Sequence, residues 1–222
     1  MPAVVHQKFE EVESRLSQLG LTREIMIETV QACVAGYAGC TDNDPPGAAG
    51  YSSWRHGVRR SRELLRPLGW LKDNTGGLAT CLNREKKVRL AILNADDGAG
   101  IPDRVPQNRS KKGPNSERAA FNNKQVHQFA LPDADDWPLP EGEVQITNLS
   151  EYATWHVCVF IKGDNVQAEL SLLGDFEAGY ASECLEKIIL VAPGEWNTPI
   201  RDQNSSDDDD DLDAFPIEVT RK

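Results

Sequence analysis

Nothing in the 222 residues is long and apolar enough to span a bilayer, which takes roughly 20 such residues in succession. The opening MPAVVHQKFEEVESRL has neither the basic start nor the extended apolar core of a secretory signal. Both absences argue for the cytosol and against a membrane partner. Paired cysteines are missing as well. Cys33, Cys40, Cys81, Cys158 and Cys184 are odd in number, scattered and never spaced as C-x-x-C, which argues against a disulfide framework and against a zinc knuckle. Most such thiols are small buried hydrophobes. His6, His56 and His127 stand alone, with no metal-ligand spacing between them. No internal repeat is visible, and no motif implies a cofactor.

What the chain does have is charge sorted by position. Residues 51–130 carry sixteen Lys and Arg against seven Asp and Glu, residues 131–222 carry five against twenty-one, and residues 1–50 carry three against seven. The segments therefore come to +9, −16 and −4, which sum to the net −11 of the whole. An acidic total hides a basic middle, so either the two regions meet each other or each meets a partner of opposite sign.

The length suits a single domain with a substantial core. Val5, Phe9, Val12, Leu16 and Leu19 recur at three- and four-residue spacing, predicting a first helix that Gly20 closes. Thr22 is placed to cap a second helix with Met26, Val30, Cys33 and Tyr37 on one face. A third is expected from about Tyr51 to Leu65, stopped by Pro67, with Tyr51, Trp54, Val58 and Leu65 as its apolar stripe. The period then changes. Leu78–Asn83 and Val88–Asn94 read as a hairpin, and Glu143–Leu149, Thr154–Lys162 and Val166–Leu172 as further strands, with Gly163-Asp164 turning between the last two. Tyr180–Leu190 fits a short helix running into a strand.

The expectation is an α+β fold, its N-terminal helices packed on an antiparallel sheet. One domain covers residues 1–196: helical over 1–67 and β-rich over 68–196, with a mobile loop over about 95–123. An acidic linker lies at 133–143, and an acidic flexible tail at 197–222.

Arg55, Arg59, Arg62 and Arg66 repeat at i, i+4, i+7 and i+11, which draws one line of guanidinium groups along the third helix. The planar donor fork of arginine suits phosphate, so such a row can track a nucleic-acid backbone. Lys86, Lys87 and Arg89 add charge nearby in sequence. Arg109, Lys111, Lys112, Arg118 and Lys124 sit in the long loop, where Lys111 and Lys112 would clamp a bound strand. A winged-helix arrangement is disfavoured, because more than ten residues separate helices two and three where a helix-turn-helix has a turn of about 3–4.

The tail offers Asp207, Asp208, Asp209, Asp210, Asp211, Asp213 and Phe215 as partner-binding residues. Over about ten residues this segment resembles the acidic-then-Phe tails of bacterial single-stranded-DNA-binding proteins, which implies docking on another protein.

The leading expectation is a non-enzymatic accessory protein that binds nucleic acid through the arginine helix, with its affinity modulated by the acidic tail. The alternative is an acidic inhibitor or adaptor that imitates a nucleic-acid backbone to occupy a basic protein. A third class is a small enzyme built on Cys158, His156 and Glu169, or on a metal held by Asp96 and Asp97. His156 and Cys158 are i, i+2 neighbours on a strand, so their Cα atoms lie roughly 7 Å apart. That spacing strains a direct hydrogen bond between them.

Overall fold

Helix α1 (Phe9–Gln18) ends in a Schellman turn: Gly20 takes φ +74, its N–H bonds to the Ser17 carbonyl, and the Leu21 N–H reaches back to the Leu16 carbonyl. Thr22 then caps α2 (Arg23–Ala38) by accepting the Ile25 N–H. The computed structural model that shows this describes residues 3–129 and 149–196. Helix α3 (Ala48–Leu65) packs against α2. A Cβ added at Gly57 would collide with Cys33 Sγ, and one at Gly36 with the His56 ring, so glycine is what allows these two helices to approach so closely.

The strands, in chain order, are β1 (Val4–His6), β2 (Leu71–Asp73), β3 (Thr80–Asn83), β4 (Val88–Asn94), β5 (Ala153–Lys162), β6 (Asn165–Glu177) and β7 (Tyr180–Val191). They form one sheet in the order β1-β7-β6-β5-β4-β3-β2. The α+β class holds, and the sheet is mixed. β1 runs parallel to β7 and β4 parallel to β5, while the other four neighbour pairs are antiparallel. The predicted Gly163-Asp164 hairpin is present, and its turn sets His156 opposite Ser171 and Cys158 opposite Glu169.

Alternation along the strands gives the sheet two unlike faces. Leu90, Ile92, Trp155, Val157, Leu170 and Ile188 point into the main apolar core, which α1, α2 and α3 cover. Arg89, His156, Glu169, Ser171 and Lys187 are also buried and occupy the intervening positions. That second face is covered by the connection after β4 and by α4 (Pro114–Phe129), whose Asn123 amide donates to the Thr154 and Leu173 carbonyls and accepts the Thr154 N–H.

Several expectations change. Val5 belongs to a strand, because the parallel edge beside β7 satisfies its backbone, and Phe9 is exposed at the start of α1. Tyr180–Leu190 is strand throughout, drawn into the sheet by β6. The loop expected to run to Asn123 gives way at Pro114 to α4, and the part before it is tied down. Asp96 accepts the Gly98 and Gln107 N–H groups, Glu169 accepts the Gly100 N–H, and Lys187 donates to the Ile101 and Arg104 carbonyls. The linker at 133–143 and the tail at 197–222 lie outside the described residues, as does the strand predicted over Glu143–Leu149 apart from Leu149 itself. Among the described residues, no helix is long and apolar enough to cross a membrane.

Candidate nucleic-acid interface

The face of α3 that enters the core is made of small residues. Ser53, Gly57, Val58, Ser61 and Leu65 are buried, whereas Tyr51 is 63% exposed and Trp54 is half-buried. The close α2–α3 approach leaves no room for aromatic rings, which are displaced to the rim and stand there as a tilted pair with centroids 5.7 Å apart. Beside them, α3 and the β2–β3 edge enclose a groove of about 1240 Å³. Its floor is apolar, formed by Val58, Leu65, Trp70 and Ala79, and its walls carry Arg55, Arg59, Arg62, Arg66 and Lys72 against the single carboxylate of Glu63.

The four arginines thus line one groove, but their roles differ. Arg55, Arg59 and Arg66 are exposed. Arg59 pairs with Glu63 at 2.8 Å, one turn along the helix, and Arg55 lies 3.0 Å from His56 Nε2. The Arg59–Glu63 pair stands in water, where such a pair contributes little and is readily exchanged for another anion. Arg62 is a staple. Its Nη2 donates to the Asp73 and Thr80 carbonyls and to Asn74 Oδ1, which ties α3 to β2 and β3. Its Nε is buried and has no partner among the described residues.

The edge that Arg62 grips is itself rigid. Asp73 accepts hydrogen bonds from Thr75, Thr80 and the buried Arg89. Burial would raise this carboxyl, but those bonds outweigh it and hold it at about 2. Arg89 is therefore structural and not part of a binding surface.

The basic loop residues divide. Asn108 fixes the loop's path: its amide donates to the Ser110 and Gly179 carbonyls and accepts the Ala181 N–H, and the Lys112 N–H adds a bond to Gly179. Gly179, at φ +85 in the β6–β7 turn, leaves no room for a Cβ against the Lys112 carbonyl. This backbone carries Arg109 and Lys112 to a hollow of about 570 Å³ shared with Tyr51, Trp54 and Asn94. Trp54 thus borders both the arginine groove and the loop cations. The structure does not bring Lys86 and Lys87 there. They occupy the β3–β4 turn, where Lys86 lies beside Gly20 and Lys87 pairs with Glu151 at 3.2 Å. Arg118 is exposed on α4, and Lys124 is taken up by Asp175 and Glu183 at 2.9 and 2.8 Å.

The residues considered for catalysis are placed in the polar layer. Glu169 is fully buried and holds Lys187 at 3.2 Å, the Ser171 hydroxyl and the Gly100 N–H. Burial, reinforced by Glu169 and Cys184, pushes the Cys158 thiol well above its ordinary range, so it is no ready nucleophile. His156 is neutral: burial first, then the positive charges of Lys112 and Arg89, bring it down to about 4. Asp97 pairs with Arg104, Asp96 organises its own turn, and among the described residues no group of three or more acidic, His or Cys side chains is placed to hold a metal. Asp207–Asp211, Asp213 and Phe215 lie outside the described residues.

Sequence reasoning missed Lys72 and the role of Trp54. Lys72 joins the groove only because β2 forms the sheet edge beside α3, and Trp54 reads as core until the glycine contact displaces it. No protein-family model matches this chain, and comparisons with curated sequences and with solved structures find no match.

Proposed function

We propose that the protein binds nucleic acid in the groove between α3 and the β2–β3 edge, with the phosphates tracked by Arg55, Arg59 and Arg66 and joined by Lys72. The observation that carries this reading is that five cations face one carboxylate along a single groove with an apolar floor. Tyr51 and Trp54 at the rim offer flat surfaces on which bases stack. Arg109 and Lys112 extend the positive surface past Trp54. The acidic run Asp207–Asp211 with Asp213 competes for the same cations and weakens non-specific binding.

The test is a mobility-shift titration of the full chain and of an Arg59→Glu/Arg66→Glu variant across a salt series. Arg62 is left intact because it staples the edge. The double reversal lowers affinity at least tenfold for every oligonucleotide sequence alike, and flattens the slope of log K against log salt by about 2. Removing residues 197–222 raises affinity. Unchanged binding by the double variant overturns the assignment of this groove. Capture of a basic protein that survives nuclease, with no oligonucleotide binding, replaces it with backbone mimicry.

A further inference from the structure

Trp54 also borders a smaller cavity, of about 310 Å³, that the arginine groove does not include. Its wall contains the first turn of α4, entered through Gly113 and represented by Asn115 and Ser116. A helix of 16 residues presents its positive end there; Pro114 has no N–H and that of Ser116 bonds to the Gly113 carbonyl, which leaves the Asn115 N–H. Lys112 stands at the same place on a backbone fixed by Gly179, and its half-buried ammonium has no carboxylate within ion-pairing distance among the described residues. Gly76 and Gly77, at φ +70 and +72, form the facing wall without side chains.

His156 supplies an independent sign that something is to be bound. Its ring is 3% exposed and forms part of the cavity wall, and its Nδ1 is buried with no hydrogen-bond partner among the described residues. Buried polar atoms are almost always paired, so an orphan at the wall of a cavity marks a missing partner. Of the charged groups at this cavity, Lys111 and Lys112 are cations, and the neutral imidazole carries one ring N–H to donate.

We propose that this cavity binds a phosphate monoester, with its oxygens held by Lys112, by the Asn115 N–H in the first turn of α4 and by a ring N–H of His156, and with the rest of the ligand against Trp54. The volume is at the small end for ligand sites, which run from about 300 Å³, and suits one phosphate with a ring or sugar attached. Two sources share this chemistry: a free nucleotide, and the terminal phosphate of a strand lying in the neighbouring groove. The site itself does not rest on the arginine-groove reading.

Calorimetric titration of the full chain with a nucleoside 5′-monophosphate, and separately with inorganic phosphate, tests the assignment, with the unphosphorylated nucleoside as control. Both phosphates bind, the nucleoside does not, and Lys112→Ala weakens binding at least tenfold. Nitrogen-15 spectra of the His156 ring shift on saturation, a readout that needs no substitution in the buried layer. Absence of binding by both phosphates, equal binding by Lys112→Ala, or an unmoved His156 signal overturns the proposal. A 5′-phosphorylated oligonucleotide preferred at least tenfold over its 5′-hydroxyl twin assigns the site to strand ends, and equal affinities assign it to free nucleotides. The Arg59→Glu/Arg66→Glu variant keeps its affinity for the mononucleotide, so failure of the groove and failure of the cavity read out separately.

Discussion

On the α1–α3 side of the sheet, burial is achieved by Leu90, Ile92, Trp155, Leu170 and Ile188. On the α4 side, the same strands turn inward Arg89, His156, Glu169, Ser171 and Lys187. Apolar packing is non-directional, so the first face stabilises the helices without dictating fine position. The polar face is directional. Each buried donor or acceptor demands a partner at a set distance, and those partners are largely the backbone of the 95–113 connection and Asn123 of α4. The face that is costlier to bury is therefore the one that fixes the path of a loop rich in glycine, proline and asparagine. It is also the face on which Lys112 and His156 are presented.

Lys187→Met strikes the comparison hardest. It strands the Glu169 carboxylate in the interior and frees the Ile101 and Arg104 carbonyls, for an expected loss of about 4 kcal/mol. Urea unfolding should show this, and Lys187→Met/Glu169→Leu should recover part of it. A loss below about 1 kcal/mol would mean that the buried pair is not formed. Leu170→Ala, on the opposite face, is expected to cost about 3 kcal/mol by leaving a cavity. Proteolysis should then find the 95–113 segment as protected as before, whereas Lys187→Met should expose it. If both variants expose it equally, the two faces are not separate in what they hold.

Acid sharpens the contrast, because the titrating groups belong to the polar layer. His156 is lowered from 6.5 to about 4, so the unfolded chain binds a proton that the folded chain refuses between those values. Stability is complete above about pH 6.5 and falls by about 3 kcal/mol as pH drops to 4. His156→Gln should flatten that part of the unfolding profile. Asp73 gives a second, smaller step. Its carboxyl is depressed from 3.8 to about 2, so its stabilisation is present above about pH 4 and is lost as pH falls through 2, at about 2 kcal/mol. Asp73→Asn should remove the pH dependence of that step, and a profile that keeps it would assign the acid limb to other carboxylates.

Much of the local structure was legible. Thr22 as a cap, Gly20 as a stop and the Gly163-Asp164 turn are interactions between residues close in sequence, and each is present. Pairing of His156 with Ser171 followed from that turn alone, because a tight turn sets the register of both strands. The arginine line was equally legible as a helical period. Its division of labour was not. Arg62 differs from Arg59 only in having the Asp73 and Thr80 carbonyls opposite it, and those belong to strands 11 and 18 residues further on. Val5 and Tyr180–Leu190 were misread because parallel pairing with β7 and antiparallel pairing with β6 override their local patterns.

By itself, then, the order of residues determined the first three helices, the central hairpin, the segregation of charge and the row of guanidinium groups, since these depend on periods and turns a few residues long. Only the folded chain decided which of those cations stand free, that Trp54 borders groove and cavity alike, and that a buried imidazole faces the lysines of a distant loop. These are matters of through-space pairing, set by the cost of leaving a polar group unpartnered in the interior.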